Sequence, residues 1–399
     1  MGSCIAPRII IHGGAGKIER DYMPPDKYRA YRAALLSIVA STKTYMQHGG
    51  GSGGKNAPRS ALDGAAYAVS LLEDHPLFNA GHGAVFTRDG INELEASVMV
   101  SRGRAKRAVG VMGLRHVRNP ILLAKRILEH GDEDLGGALA EENHYHDDDD
   151  DDDDDGDDDD DVTVSGGGGG GDAGGDDRDA CKGELDVPSA QGHSQLWGRA
   201  AEQLARQYGL ALVPREYFFT QHRWDEHIDG LKRRQRRRRH DDDDDDDEKG
   251  RGSRRARTGG LTNKLTGRIG DTPTIGAGFW AEEWLVDDDD DDGGGRGGGG
   301  LGALLSTTTT TTTAIPWLPS WLCGAAAGRG EGEGGVIGIE SVVERCRATG
   351  RVVAARADLL MDYNCGGMFR AWIDEQGVPR MSVWNNHGED DPRHATNMT

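Results

Sequence analysis

Asp147 to Asp161 is aspartate at every position except Gly156, and uninterrupted aspartate runs follow at Asp241 to Asp247 and Asp287 to Asp292. Such a segment has nothing apolar to bury and repels itself, so it cannot join a core. Glycine blocks at Gly166 to Gly171 and at Gly293 to Gly300, the second broken by Arg296, and the threonines Thr307 to Thr313 behave alike. All are expected to be disordered, solvated tethers. They leave four stretches able to fold, so the 399 residues read as one large domain carrying inserts. The runs hold 14, 7 and 6 aspartates, 27 negative charges against a net charge of −21, which leaves the remainder at about +6. The acidity therefore describes the inserts and says little about a site.

Five cysteines, Cys4, Cys181, Cys323, Cys346 and Cys365, are scattered and form no CxxC pair. This argues against a disulfide framework or a zinc site and fits a reducing compartment. No apolar stretch approaches bilayer-spanning length, and no charged-then-apolar leader opens the chain. "MGSCIA" begins like a myristoylation signal, but Ala6 stands where Ser or Thr is required. A soluble, cytoplasmic protein without a membrane partner is expected.

The first stretch, from about Ile5 to Gly137, has the clearest local grammar. "PRIIIHGGAG" is a β-branched strand that breaks into glycines; "YRAALLSIVAS" and "SALDGAAYAVSLLED" carry helical spacing, the latter ended by His75-Pro76. "AVGVMGL" reads as a buried strand, and "NPILLAKRILEHG" as a helix capped by Asn119, begun by Pro120 and stopped by a glycine. The second stretch, Gln195 to Trp224, gives the helix "LWGRAAEQLARQYG" and then "LVPREYFFTQHRW". The third is "ARTGGLTNKLTGRIGDTPTIGAGFW", Ala256 to Trp280. The fourth, Gly334 to Trp384, reads as two strands with a glycine turn and a further hairpin. Strands at both ends and helices between suggest sheets packed against helical layers.

Three places carry candidate chemistry. His12 to Gly16 places glycines directly after a strand, where main-chain N–H groups can face a ligand or another segment. Asn79 lies between an aromatic residue and a run of small ones, so its amide orients something in a pocket or caps its own loop, while Glu93 and Glu95 alternate as on a strand. Arg268 and Asp271 flank Gly270 at a spacing that lets both point into one cavity. A guanidinium suits a carboxylate and a carboxylate suits an ammonium, so the pair matches the two charged ends of an α-amino acid; the plainer alternative is a surface ion pair. A fourth feature, "KRRQRRRR" at Lys232 to Arg239, would suit phosphates or an import signal, giving a nuclear alternative to the cytoplasm. Seven aspartates follow closely and no aromatic residues are interleaved, so nucleic acid is not the expected partner.

Taken in order, "IIIHGGAG", "LLEDHPLFNAGHGAVFTRDG", "NPILLAKRILEHG", "PREYFFTQHRW", "TGGLTNKLTGRIGDTPTIGAG", "GGVIGIE" and "YNCGGMFRAWIDE" resemble the plant-type L-asparaginase and isoaspartyl peptidase family, whose relatives include glycosylasparaginase and the threonine aspartases. The resemblance implies an α+β fold, a four-layer αββα sandwich of the N-terminal nucleophile hydrolase type. Residues 1–240 would form the first-subunit-like part with an insert at 138–194, 241–257 a processing-loop region, and 258–399 the second-subunit-like part with an insert at 287–313. It further implies a precursor that cuts itself before a threonine, which then serves as nucleophile and, through its α-amine, as base. The activity implied is hydrolysis of asparagine or isoaspartyl bonds with release of L-aspartate. By the same resemblance Thr258 is the supporting threonine, Asn79 helps shape the active site, Arg268 holds the substrate α-carboxylate, Asp271 the α-amine, and Gly13-Gly14 line the site. No cofactor is implied. Main-chain carbonyls of Leu72, Glu73, His75, Phe78, Ala80 and His82 match a loop that holds a sodium ion in relatives. The partner implied is a small molecule or peptide with an aspartyl end, and the assembly a homodimer of processed heterodimers.

The chain departs from the family where the nucleophile should lie. A "GTVGAVA"-like strand precedes the Thr-Gly-Gly in relatives, whereas Arg233 to Arg257 here reads "RRQRRRRHDDDDDDDEKGRGSRRAR" and contains no threonine. Thr163 lies on the wrong side of "PREYFFTQHRW", and Ser253 lacks a surrounding apolar strand, so no nucleophile is identified. The Ser-Thr-Thr-Gly-like oxyanion turn is replaced by the Asp and Gly runs followed by Ser306 and the threonine tract. Either a strand of the authentic protein is missing from this sequence or the chain is a catalytically silent binding scaffold; a threonine aspartase-like protease is the remaining alternative.

Overall fold

The computed structural model describes residues 7–48, 58–101, 104, 107–134, 190, 192–241, 262–276, 278–285, 297–307, 334–345 and 352–384. Their strands form three sheets, and the α+β class expected from the sequence is what they show. The long aspartate run 147–161, the run 287–292 and Thr258 lie outside the described residues.

Strand β1, Ile10–Gly16, pairs antiparallel with β9, Gly367–Ile373, which also pairs with β10, Pro379–Ser382. This sheet joins the front of the chain to its rear: Ile10 lies opposite Trp372 and Gly16 opposite Gly367. The register slips between His12 and Gly14, where Gly13 approaches Phe78 and Phe369 too closely to carry a Cβ. Helix α1, Pro25–Gln47, covers the sheet. Its buried Tyr31, Leu35, Ile38, Val39, Thr42 and Met46 recur at three- and four-residue intervals, the stripe needed to face a sheet. Tyr31 stacks on Phe369 at 4.3 Å between ring centroids.

A second sheet has the order β2-β3-β4, where β2 is Leu94–Met99, β3 Ala108–Leu114 and β4 Gln195–Trp197. β2 runs antiparallel to β3, and β4 parallel to it. All of β3 is buried, as its unbroken apolar run requires. Helices α2 (Ala61–Glu73), α3 (Pro120–Asp134) and α4 (Gly198–Gln207) contribute to the core against it, with Leu114, Leu123, Ile127, Leu128 and Phe218 all fully buried. α2 opens with a reciprocal Ser60–Asp63 capping box, and Lys125 of α3 reaches Asp63 at 2.6 Å. α3 continues past the expected glycine stop, through Gly131 to Asp134.

Helix α5, Gln221–Asp241, was not foreseen as an element: it begins at the end of "PREYFFTQHRW" and carries on through the arginine run. Buried Arg223 and His227 fix its first turns, and the helix-compatible lysine and arginines extend it from there. The third sheet has the order β5-β6-β7-β8, from Phe279–Leu285, Gly297–Thr307, Gly335–Arg345 and Val352–Tyr363. Part of the stretch read as an insert is thus strand β6, with a ladder partner on both sides. A ladder made of main-chain groups does not need side chains, so glycines can enter it. Ala15, Ile337 and Met368 pack this sheet against the first. Among the described residues no helix is long and apolar enough to cross a membrane.

Leu128→Ala removes a fully buried side chain from the core of the second sheet. It should lower unfolding free energy by about 2–5 kcal/mol, read as a reduced denaturant midpoint with unchanged slope.

Candidate active site

The segment from Asn263 to Pro273 is a loop whose shape is imposed from outside. Its entry is fixed by α5 and by the residues before β2: Asn263 N–H donates to Phe86 O at 2.9 Å, Asn263 Nδ2 to His227 O at 3.0 Å, and Arg88 N–H to Lys264 O at 2.7 Å. Asn263 takes φ +60, a left-handed conformation that asparagine tolerates better than most residues. Arg268 N–H closes a turn on Leu265 O at 3.0 Å, with Gly267 at φ +83 in the third position, where such a turn favours glycine.

The middle of the loop lies on side chains of β2 and of the residue before it. Leu94, Ala96 and Val98 enter the core, so Glu93, Glu95, Ser97 and Met99 share the other face. Glu93 Oε2 accepts from Gly267 N–H at 2.7 Å, and both Glu95 oxygens accept from Gly270 N–H at 3.0 Å. Ser97 Oγ donates to Thr272 O at 2.6 Å, and Met99 Sδ accepts from Ala281 N–H at 3.3 Å. Lys264 braces the strand, with Nζ donating to Glu93 O at 3.1 Å and lying 3.5 Å from Glu95 Oε1. Arg115 Nη2 holds the other Glu93 oxygen at 2.7 Å. Glu93, Glu95 and Lys264 are almost fully buried, so their charges are matched within the protein.

The loop presents an exposed Arg268 and a partly buried Asp271 whose Oδ2 is enclosed without a hydrogen-bond partner. Burial pushes the Asp271 carboxyl up to about 6; its own and Thr272's main-chain N–H groups and the Arg268 charge pull the other way, and Glu95 adds to the rise. Burial likewise raises Glu95, opposed first by Lys264.

A second group of residues meets elsewhere. Gly13, Gly14 and Asn79 line a cavity of about 360 Å³, together with Lys17, Lys27 and Arg223. Arg268 and Asp271 are not among its lining residues. Asn79 Oδ1 accepts from Val85 N–H at 2.9 Å, which realises the loop-capping alternative for that oxygen. Buried Arg223 clamps the neighbouring turn, with Nε donating to Gly83 O at 2.8 Å and Nη2 to Leu77 O at 3.3 Å. His12, behind the glycines, is held by burial down at about 4 and is neutral at pH 7.

The residues expected to offer carbonyls form a tightly wound turn after α2. Leu72, His75 and Ala80 each accept a main-chain N–H from His75, Phe78 and Gly83 at 3.1–3.3 Å, and Leu72 O also takes the N–H of Asp74. A Cβ at Gly81 would lie 2.3 Å from Glu73 O, and one at Gly83 would lie 2.1 Å from Phe78 O, so both glycines are required by backbone packing. His82 Nδ1 bonds to Tyr217 O at 2.5 Å, which docks the turn on the second stretch. The Glu73 side chain points away: its Oε1 accepts from Ile121 N–H at 3.0 Å at the start of α3, and burial raises its carboxyl to about 8.

Sequence reasoning singled out the loop's two charged residues and the alternation of Glu93 and Glu95, but not what these carboxylates hold. Lys264, Ser97, Asn263, His227 and Arg223 were missed. The period-two pattern of polar residues between Glu93 and Ser97, opposite an apolar set, was the available signal for Ser97. For the others the partners are far apart in sequence and no local signal exists.

These features define an α+β protein in which a buried acidic strand face supports a loop bearing one guanidinium and one carboxylate. A family model described as Asparaginase matches residues 5–142 and 186–286, and the chain belongs to that family. It is similar to an isoaspartyl peptidase of Escherichia coli (strain K12), 29% identical over 294 residues that cover 70% of this chain and 68% of the relative. An isoaspartyl peptidase of Salmonella typhimurium is 30% identical over 286 residues, covering 68% and 69%. A plant-type L-asparaginase of Pyrococcus furiosus is 39% identical over 127 residues, which are 32% of this chain and 36% of that one.

Gly83→Ala would force a methyl group onto the Phe78 and Pro76 carbonyls. Destabilisation of about 3 kcal/mol or more is expected, with a correspondingly lowered Tm in a thermal melt.

Proposed function

We propose that the protein is a threonine-type amidohydrolase of the asparaginase and β-aspartyl peptidase kind, matured by self-cleavage and releasing L-aspartate. The observation that carries this reading is the loop from Lys264 to Pro273, pinned by buried carboxylates and bearing Arg268 and Asp271, in a chain of the asparaginase family. Arg268 pairs with the substrate α-carboxylate through its planar fork, and the partly buried Asp271 carboxylate accepts the α-ammonium. Asn79, Gly13 and Gly14 shape a second part of the site, the cavity that they line, and Thr258 supports the nucleophile; support for these roles comes from the family pattern and from that cavity.

In the proposed reaction the hydroxyl of a freed N-terminal threonine attacks the side-chain carbonyl, while that residue's α-amine takes the hydroxyl proton. The amine passes the proton to the departing nitrogen as the C–N bond breaks, leaving an ester, and water then attacks the ester with the same amine as base. No residue of this chain is assigned as that threonine. Cleavage would divide the domain near 241–257, into a front part, 1–240, and a rear part from 258, arranged as the layers of a four-layer αββα sandwich. The break in the family match over 143–185 supports an insert at 138–194. No cofactor is needed for this chemistry; the wound turn at 72–82 would suit a sodium ion held by main-chain oxygens. Two such processed units would pair as a homodimer.

Intact mass under denaturing conditions, on protein from its natural source, tests the reading. Two fragments, the smaller starting with threonine, are expected; a single uncut chain of the written mass would instead identify a binding scaffold without turnover. In calorimetric titration Arg268→Ala should abolish L-aspartate binding, and undiminished affinity would refute the pocket assignment. Aspartate affinity of the unaltered protein should fall as pH drops through about 6, because Asp271 then gains a proton and loses the charge that attracts the ammonium.

A further inference from the structure

We infer that Glu95, at the centre of a side-chain ladder running Glu93–Glu95–Ser97, is a positioning residue that sets the substrate-recognition loop in its binding shape. The inference rests on the reading of Arg268 and Asp271 given above. Three observations carry it. The loop is hydrogen-bonded to successive same-face positions in the order of the strand: Gly267 N–H donates to Glu93, Gly270 N–H donates to Glu95, and Ser97 Oγ donates to Thr272 O. A strand pairing would have used main-chain groups for this; here carboxylates reach out to the amides, so a change of side chain on β2 is a change of loop conformation.

The recognition residues sit between the rungs, Arg268 just after the Gly267 contact and Asp271 between Gly270 and Thr272. Neither can change its backbone direction without breaking a rung. The fit at the central rung is also tight. A Cβ at Gly270 would lie 2.9 Å from Glu95 Oε2, so the glycine between Arg268 and Asp271 is there to let the carboxylate reach the backbone. Lys264, 3.5 Å from Glu95, sets an opposite charge beside that buried carboxylate and ties it to the loop's own first residues.

The charged groups around this point are Lys264, Arg268 and Asp271 from the loop, Glu93 and Glu95 from the strand, and Arg115 from beyond β3, which is already engaged by Glu93. Glu95 is thus the negative group that Asp271 feels, and its removal should make Asp271 easier to ionise.

The test compares the full chain with its Glu95→Ala, Glu95→Gln and Arg268→Ala variants, by amide hydrogen exchange and by L-aspartate titration across pH. Glu95→Ala should speed exchange across 264–273 about tenfold or more, leave α3 unchanged, and weaken aspartate about tenfold, since the half-buried Gly270 N–H loses its acceptor. Glu95→Gln keeps an acceptor for Gly270, so protection and affinity at pH 7.5 should return to within about threefold of the unaltered protein. Its midpoint for aspartate binding should nonetheless move to lower pH, which loss of packing alone would not produce. Unchanged exchange in Glu95→Ala overturns the ladder, whatever the ligand result. Faster exchange with undiminished aspartate affinity, while Arg268→Ala has lost it, overturns the positioning role. If the unaltered protein takes up no aspartate, the pocket reading fails and the exchange comparison alone decides the ladder.

Discussion

Two carboxylates buried beside one strand, with the lysine and arginine that neutralise them, govern the rest of this structure. Glu93 and Glu95 would be costly in an apolar environment on their own. Arg115, Lys264 and the amides of Gly267 and Gly270 compensate them, and in doing so those groups are fixed in place. The same alternation that turns these carboxylates outward drives Leu94, Ala96 and Val98 into the core beneath. Burial of the sheet and presentation of the loop are consequences of one register, and a one-residue slip in β2 would undo both.

Around that centre the structure keeps two polar regions apart. The glycine turn after β1 and Asn79 belong to a cavity bounded by Arg223, whose guanidinium is occupied with carbonyls of the 77–83 turn. The charged loop stands on the second sheet. They are linked through residues 84–88, which run from Asn79's capped turn to hydrogen bonds with Asn263 and Lys264. The segment that Asn79 caps is thus the same one that meets the entry of the loop.

Much of this was legible in the sequence where the signal is local. The helical stripe of α1, the helical spacing of α2, Asn119-Pro120 before α3 and the apolar run of β3 each depend on neighbours a few positions away, and they were read from those neighbours. The glycine-rich grammar around Arg268 and Asp271 marked the loop. What could not be read is what depends on distant partners. The α5 helix has a polar, arginine-laden sequence with no apolar stripe, and only the docking of Arg223 and His227 makes sense of its start. The strand character of Gly297–Thr307 comes from its neighbours β5 and β7, and glycines hide it. The partners of Glu93 and Glu95 lie about 175 residues downstream.

That separation has a consequence for how the two halves of the chain exist. β1 comes from the front of the sequence, yet its sheet partners β9 and β10 come from the rear. The acidic face likewise belongs to the front and its lysine to the rear. That first sheet is finished only when both halves are present, and each half would leave buried charge or an open strand edge if made alone. The halves are interlocked fragments of one fold, suited to reconstitution by complementation: produced as separate polypeptides, they should each be poorly soluble, yet should recover a common structure when refolded together.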